Sequence, residues 1–153
     1  MNTIEYANMM ARVAKASSRV KSILLPHYNT GPTVEVGYKQ NMQDWEKKAP
    51  FITFVPEFYR EESDRFTCEV VMYVGLFDIA TTLVNGVETL GAYPVMNELI
   101  PALMREFKDS VRGVAPTAFI EDWRAQYRQE NYPLLWCNVE ITIVEPTPVG
   151  HWR

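Results

Sequence analysis

Hydrophobic residues recur along this chain with two periods, and the change of period marks its elements. From residue 3 to 25, Tyr6, Met10, Val13, Ser17, Val20 and Leu24 fall at spacings of three and four. Such a stripe on an otherwise polar run predicts an amphipathic helix. Thr3 is placed to cap it, and Pro26 is expected to end it, because the residue before a proline resists the helical region. Thr33 to Tyr38 then alternates, with Val34, Val36 and Tyr38 on one face, and reads as a short strand. A polar stretch over 39–49 leads to a second strand, Phe51 to Val55, bounded by Pro50 and Pro56.

The clearest period-two pattern is FTCEVVMYVGLFD. Phe66, Cys68, Val70, Met72, Val74 and Leu76 share one face. The other face begins polar at Thr67 and Glu69 and turns apolar towards Phe77, as in a sheet whose second face is partly covered. Within TTLVNGVETL (81–90) the Asn-Gly pair predicts a type I′ hairpin that projects from the domain, with a loop leading into the next helix as the other reading. From Pro94 to Arg112 the helical stripe returns as Met96, Leu99, Leu103, Phe107 and Val111, with Gly113 as its stop and Pro101 expected to kink it or mark its start. Residues 114–133 show no regular period and read as irregular and aromatic-rich. The last strand, Leu134 to Val144, sends Leu135, Cys137, Val139, Ile141 and Ile143 inward, and a proline-bearing tail follows over 145–153.

This order predicts one α+β domain over residues 1–153, an antiparallel sheet with two main helices packed on one face. An extended loop over 26–50 and the C-terminal tail lie outside that frame. At 153 residues, 47% apolar and 22% charged, the chain has the composition of an ordinary soluble globular domain. No run reaches the roughly 18 apolar residues of a membrane span, and the N-terminus has no signal-peptide pattern, so we expect an intracellular product with no membrane partner.

Charge is uneven. Residues 1–50 carry seven Lys/Arg against four Asp/Glu, while the remainder carries eight against fifteen. Either copies stack basic end to acidic body, or Arg12, Lys15 and Arg19 form a solvated helix face. An acidic protein lacks the basic footprint of a stable nucleic-acid binder.

Candidate chemistry is sparse. Cys68 and Cys137 stand far apart in apolar runs and read as buried thiols. His27 and His151 have no partner at metal-ligand spacing, and the glycines match no phosphate-binding loop. No nucleophile is paired with a base, and the acids of the Glu57–Asp64 turn and the adjacent Glu121 and Asp122 read as solvated. We therefore expect no enzyme, no cofactor and no metal. Trp123, Tyr127, Tyr132 and Trp136 cluster beside Arg124 and Arg128, a composition shared by packed cores, by protein interfaces and by base-stacking surfaces. The stretch from Pro26 to Pro50, with Asp44, Trp45, Lys47 and Lys48, reads as an assembly arm. Trp152 in the tail is a candidate for docking on a neighbouring subunit.

The succession of N-terminal helix, polar loop, β-meander (PFITFVPE and FTCEVVMYVGLFD), helix (PVMNELIPALMREFKDSV) and closing strand (LLWCNVEITIVEP) resembles the tail terminator, or tail completion, proteins of long-tailed bacteriophages. The resemblance lies in element order and size. It implies a homo-oligomeric ring, commonly six-fold, that caps the tail tube and joins it to the head. Its partners would be the tail-tube protein and neck or connector proteins, with DNA only in passage. Its location would be the virion, after assembly in the host cytoplasm. Related small α+β proteins build the tube and neck, so these are the neighbouring alternatives. The competing class is a small-ligand binder or enzyme with His27, Asp122 or Tyr127 as its polar groups.

Overall fold

The computed structural model describes residues 1–37 and 47–147. Among them are three helices and seven strands: α1 (Thr3–Ala16), α2 (Ser18–Tyr28), β1 (Thr33–Val36), β2 (Phe51–Glu61), β3 (Arg65–Phe77), β4 (Thr82–Val84), β5 (Val87–Thr89), α3 (Ala92–Val114), β6 (Phe119–Arg128) and β7 (Leu134–Pro146). Five strands form one sheet in the order β1-β2-β3-β7-β6, and β4 pairs with β5 separately. All pairings are antiparallel except β1 with β2, which is parallel. The α+β class and the single domain expected from the pattern are what the chain adopts.

The sheet is built on the β3–β7 ladder, which pairs thirteen residues without a slip, from Arg65↔Pro146 to Phe77↔Leu134. One face of this ladder, Cys68, Val70, Met72, Val74 and Leu76 with Leu135, Cys137, Val139, Ile141 and Ile143, is buried against the helices. The stripes of α1 (Tyr6, Met10), α2 (Val20, Leu24) and α3 (Met96, Leu99, Leu103, Phe107) close over it. Phe54 meets Phe107 edge to face at 5.6 Å, a geometry that aromatic pairs favour.

The opposite face carries a second, small cluster around Phe51 and Leu134. Gly75 lies directly across from Phe51, and a Cβ there would run into the Phe51 ring. The position is small because the ring lies over it.

Five local expectations are corrected. The N-terminal helix is two helices. Ser17, which falls on the apolar stripe by spacing, adopts an extended conformation between them (φ −66°, ψ 117°). Its hydroxyl accepts from Val20 N at 3.1 Å and donates to Glu106 Oε1 of α3 at 3.0 Å. Capping and a tertiary bond therefore outweigh helix continuation at this position.

At the start of α1 the cap is Asn2, whose side chain accepts from Glu5 N at 2.9 Å; Thr3 is buried and donates to Phe58 O at 2.9 Å. Pro26 lies inside the last turn of α2, which ends at Asn29 in the left-handed region (φ 57°) with its N–H on Leu25 O. The hydroxyl of Tyr28 donates to Phe77 O at 2.7 Å, so this last turn is tied to the sheet beyond the proline.

β2 runs on past Pro56 to Glu61, with a register shift between Pro56 and Phe58. β1 covers β2 only as far as Phe54, so at Pro56 the strand is itself an edge and needs no N–H on that side. Finally, residues 119–128 are a strand, not an irregular segment. The bulge between Ile120 and Asp122 moves the inward residues from even to odd positions, so no single period describes the segment. β1 ends at Val36, and Tyr38 lies outside the described residues.

Ser17→Ala removes both bonds at the helix break. It should cost roughly 1–2 kcal/mol, within the range of N-cap losses, measured as a fall in the urea midpoint with an unchanged m-value. A loss below a few tenths of a kcal/mol would show that the break is set elsewhere.

Candidate assembly interface

The β3–β7 ladder gives the molecule two ends. At about 3.3 Å per residue, its thirteen pairs separate them by about 40 Å. The Phe77 end holds the C-terminus of α2, the start of α3 and the β4–β5 hairpin. The Arg65 end holds the start of α1, the end of β2 and the end of β7.

The hairpin forms as its Asn-Gly pair predicts, with Asn85 and Gly86 both at positive φ (51° and 80°). Its root is pinned while its length stands clear. Asp78 accepts from Ala92 N at 3.3 Å and from the Tyr132 hydroxyl at 3.3 Å, and its own N–H donates to Pro133 O at 2.8 Å. Gly91 passes so close to Ala80 O and Ile79 that a Cβ would collide with backbone. Beyond that root, Leu83 is 69% exposed and Val87 64%, with Val84 also exposed. An isolated two-stranded hairpin is only marginally stable in water, and this one presents branched aliphatic residues to solvent.

The other end carries an unlike apolar patch. Ile4 in the first turn of α1 is 59% exposed and Tyr59 of β2, on the helix face of the sheet, is 46% exposed, whereas Phe58, opposite Glu69, is exposed on the other face. Asn2, Thr3, Ile4 and Tyr59 line a depression of about 250 Å³, and the Tyr59 ring stacks on Phe66 at 6.1 Å. Arg60 lies over the Phe58 ring at 6.0 Å. Beneath the patch, Tyr6 donates to Glu145 Oε2 at 3.1 Å and the N-terminal ammonium lies 3.4 Å from the same oxygen. Burial, with Glu145 adjacent, raises the Tyr6 pKa well above its ordinary value. The patch therefore rests on a fixed base.

Pattern reading found the projecting hairpin but missed the patch at the other end. The Phe58-Tyr59 pair lies beyond Pro56, where the strand was expected to have ended. Continuing the alternation through the proline is the signal that finds it.

The residues singled out from the sequence fall into separate places. Arg12 and Lys15 are exposed to differing degrees on α1, and neither pairs with an acid among the described residues. Arg19 bridges to Glu98 of α3 at 3.5 Å, and Lys48 to Glu35 of β1 at 2.8 Å, so both hold elements of their own chain together. Lys47 is exposed. Asp44, Trp45 and Trp152 lie outside the described residues, as do most of the polar stretch over 39–49, His151 and most of the tail over 145–153. Of the expected arm over 26–50, Pro26 to Tyr28 belong to α2 and Thr33 to Val36 to β1.

Trp123, Arg124, Tyr127 and Arg128 come together on β6, at the sheet edge opposite β1. Trp123 packs against the core. Tyr127 donates to Asn97 Oδ1 at 3.1 Å and meets Tyr93 edge to face. On the other face Arg124 pairs with Glu140, and Arg128 lies over the Trp136 ring at 5.6 Å.

The three polar groups of the ligand-binding reading do not converge. His27 lines a cleft of about 180 Å³ with Ile79, Thr82 and Glu98. Tyr127 is held on Asn97, which lines a neighbouring cleft of about 400 Å³ with Val84, Tyr93 and Glu98. Asp122 pairs with Thr142 on the opposite face of the sheet. Among the described residues no three His, Cys, Asp or Glu side chains gather as a metal cluster. Cys68 and Cys137 are buried and unbonded to one another, and burial pushes the Cys137 thiol up to about 11. No helix among the described residues is long and apolar enough to cross a membrane.

No protein-family model matches the chain, and no curated protein matches it in sequence.

Tyr28 gives the hairpin end a pH dependence. Burial, then Asp78, pushes its phenol up to about 12 from an ordinary 10. The folded state keeps the proton longer than the unfolded one. The stability from this group is complete below pH 10 and is lost as pH rises towards 12. Tyr28→Phe should lower the urea midpoint at pH 7 and flatten its decline between pH 10 and 12. An equally steep alkaline decline in the variant would assign it to other groups.

Proposed function

We propose that this chain is a structural protein of a phage particle. Its subunits join end to end into a ring that caps the tail tube and joins it to the head or neck. The observation that supports this most is the pair of unlike apolar surfaces at opposite ends of one rigid ladder. The hairpin carries Leu83 on one face and Val84 and Val87 on the other, and the far end carries Ile4 and Tyr59. Neither surface can cover the other within one chain, because about 30 Å of sheet lies between Tyr59, opposite Cys68, and the Phe77 end.

A second copy can cover both. Its hairpin reaches the Ile4–Tyr59 patch of the first, and its own patch accepts the hairpin of a third. Such a contact is heterologous; it closes into a ring where the rotation per step allows and otherwise runs on as a filament. The element order resembles that of tail terminator proteins, which supplies the place of the ring in the particle. Tail-tube and neck proteins are then the partners, and DNA is present only in passage. A role as a neck or tube protein of the same particle uses the same contact.

Negative-stain imaging of the concentrated protein, alone and with tail tubes, tests the reading. Wild type should give uniform rings or ring-capped tubes. Leu83→Asp alters a side chain that is largely exposed in the monomer, so the fold should be unchanged by circular dichroism while the rings are abolished. Rings that persist undiminished in Leu83→Asp would remove the hairpin from the assembly and this reading with it.

A further inference from the structure

β6 is an open edge with a defined self-complementary register. It is ten residues long and among the described residues pairs only with β7, whereas the other edge, β1, has four residues. Long unpaired edges are templates for another strand, and proteins ordinarily shorten, cover or use them. The bulge at Glu121 breaks this edge near its start and leaves Asp122 to Arg128 as a regular run opposite Thr142 to Trp136. Asp122, Arg124, Gln126 and Arg128 lie on the sheet face away from the helices. Trp123, Ala125 and Tyr127 lie on the helix face.

An antiparallel pairing of this run with its own copy about a two-fold axis keeps each residue on its own face. Only registers that place a residue on the axis are then allowed. With Arg124 on the axis, two guanidiniums face each other. With Gln126 there, Arg124 meets Arg128 twice. With Trp123 there, the bulged residues must enter the ladder. Ala125 is the midpoint of the regular run, and it alone pairs all seven residues within the run, with complementary partners: Asp122 opposite Arg128, Arg124 opposite Gln126, and Trp123 opposite Tyr127, each made twice. Asp122 has no ion-pair partner in its own chain among the described residues, and a small side chain sits at the axis.

We propose that two copies of this protein pair through β6, antiparallel and in register about Ala125, so that their five-stranded sheets run into one. The added strand gives main-chain hydrogen bonds, and the cross-strand pairs fix the register. This contact uses the side of the sheet, while the head-to-tail contact uses its ends, so each can be lost without the other.

Cysteine cross-linking of the full chain tests it. Directly opposed residues in an antiparallel pair have Cα atoms about 4.5–5.5 Å apart, within disulfide reach. Ala125→Cys should give a disulfide-linked dimer under mild oxidation. Gln126→Cys should not, since its copy is displaced by two residues, about 7–8 Å away. Cys68 and Cys137 are buried and should not interfere.

By light scattering on a dilution series, Leu83→Asp, which lacks the head-to-tail contact, should be a dimer, and it is the background for the charge variants. Asp122→Arg should weaken dimerisation at least tenfold, and adding Arg128→Asp should restore it. Cross-linking of Gln126→Cys in place of Ala125→Cys would overturn the register. Monomeric Leu83→Asp with no cross-link at either position would overturn the contact itself.

Discussion

Everything in this molecule hangs on the unbroken thirteen-pair ladder of β3 and β7. Its inward face supplies most of the sheet's side of the core, and all three helices take their positions from it. Because no bulge interrupts it, the ladder also sets the length of the domain. Bulges do occur in the flanking strands, at Glu57 in β2 and Glu121 in β6. Each alters which residues face outward without disturbing the centre. The irregularity that shapes the surfaces is thus confined to the margins of a regular frame.

That frame turns local chemistry into geometry at a distance. The hairpin is held to the Phe77 end by Asp78, Gly91 and the Tyr28 hydroxyl. The Ile4–Tyr59 patch is held to the Arg65 end by Thr3, Tyr6 and Glu145. The strength of the anchoring matters because ordering a flexible segment on binding costs conformational entropy. Surfaces already fixed to a rigid ladder avoid much of that cost, as the proposed assembly requires. The clefts beside α3, by contrast, do not gather the histidine, tyrosine and aspartate that a ligand-binding reading would use.

Much of the frame was legible from the amino-acid pattern. The alternations through Phe66–Phe77 and Leu134–Val144, the stripe of α3 and the Asn85-Gly86 turn each carry one period or one turn chemistry, and each formed as written. What was not legible depended on contacts between distant residues. Ser17 looks like a stripe position, and only its bond to Glu106 shows why the helix breaks there. β6 was hidden because its bulge shifts the period partway along. β2 seemed to stop at Pro56 because nothing local reveals that β1 leaves it uncovered at that point. The aromatic and arginine residues of β6 stood out by type, as a composition shared by cores, interfaces and stacking surfaces. The edge that gives them a common direction did not, and the apolar patch beyond Pro56 was lost with the strand that carries it.

The central claim is that the hairpin of one copy covers the far end of the next. The most direct measurement mixes two single-site variants, Leu83→Cys and Ile4→Cys, and joins them with a short bifunctional thiol reagent. The account predicts that peptide mass spectrometry of the mixture finds position 83 of one protein linked to position 4 of the other, and that neither variant alone cross-links efficiently. A mixture giving only like-with-like products, or none above the level seen when Leu83→Cys also carries Val87→Asp, would contradict it.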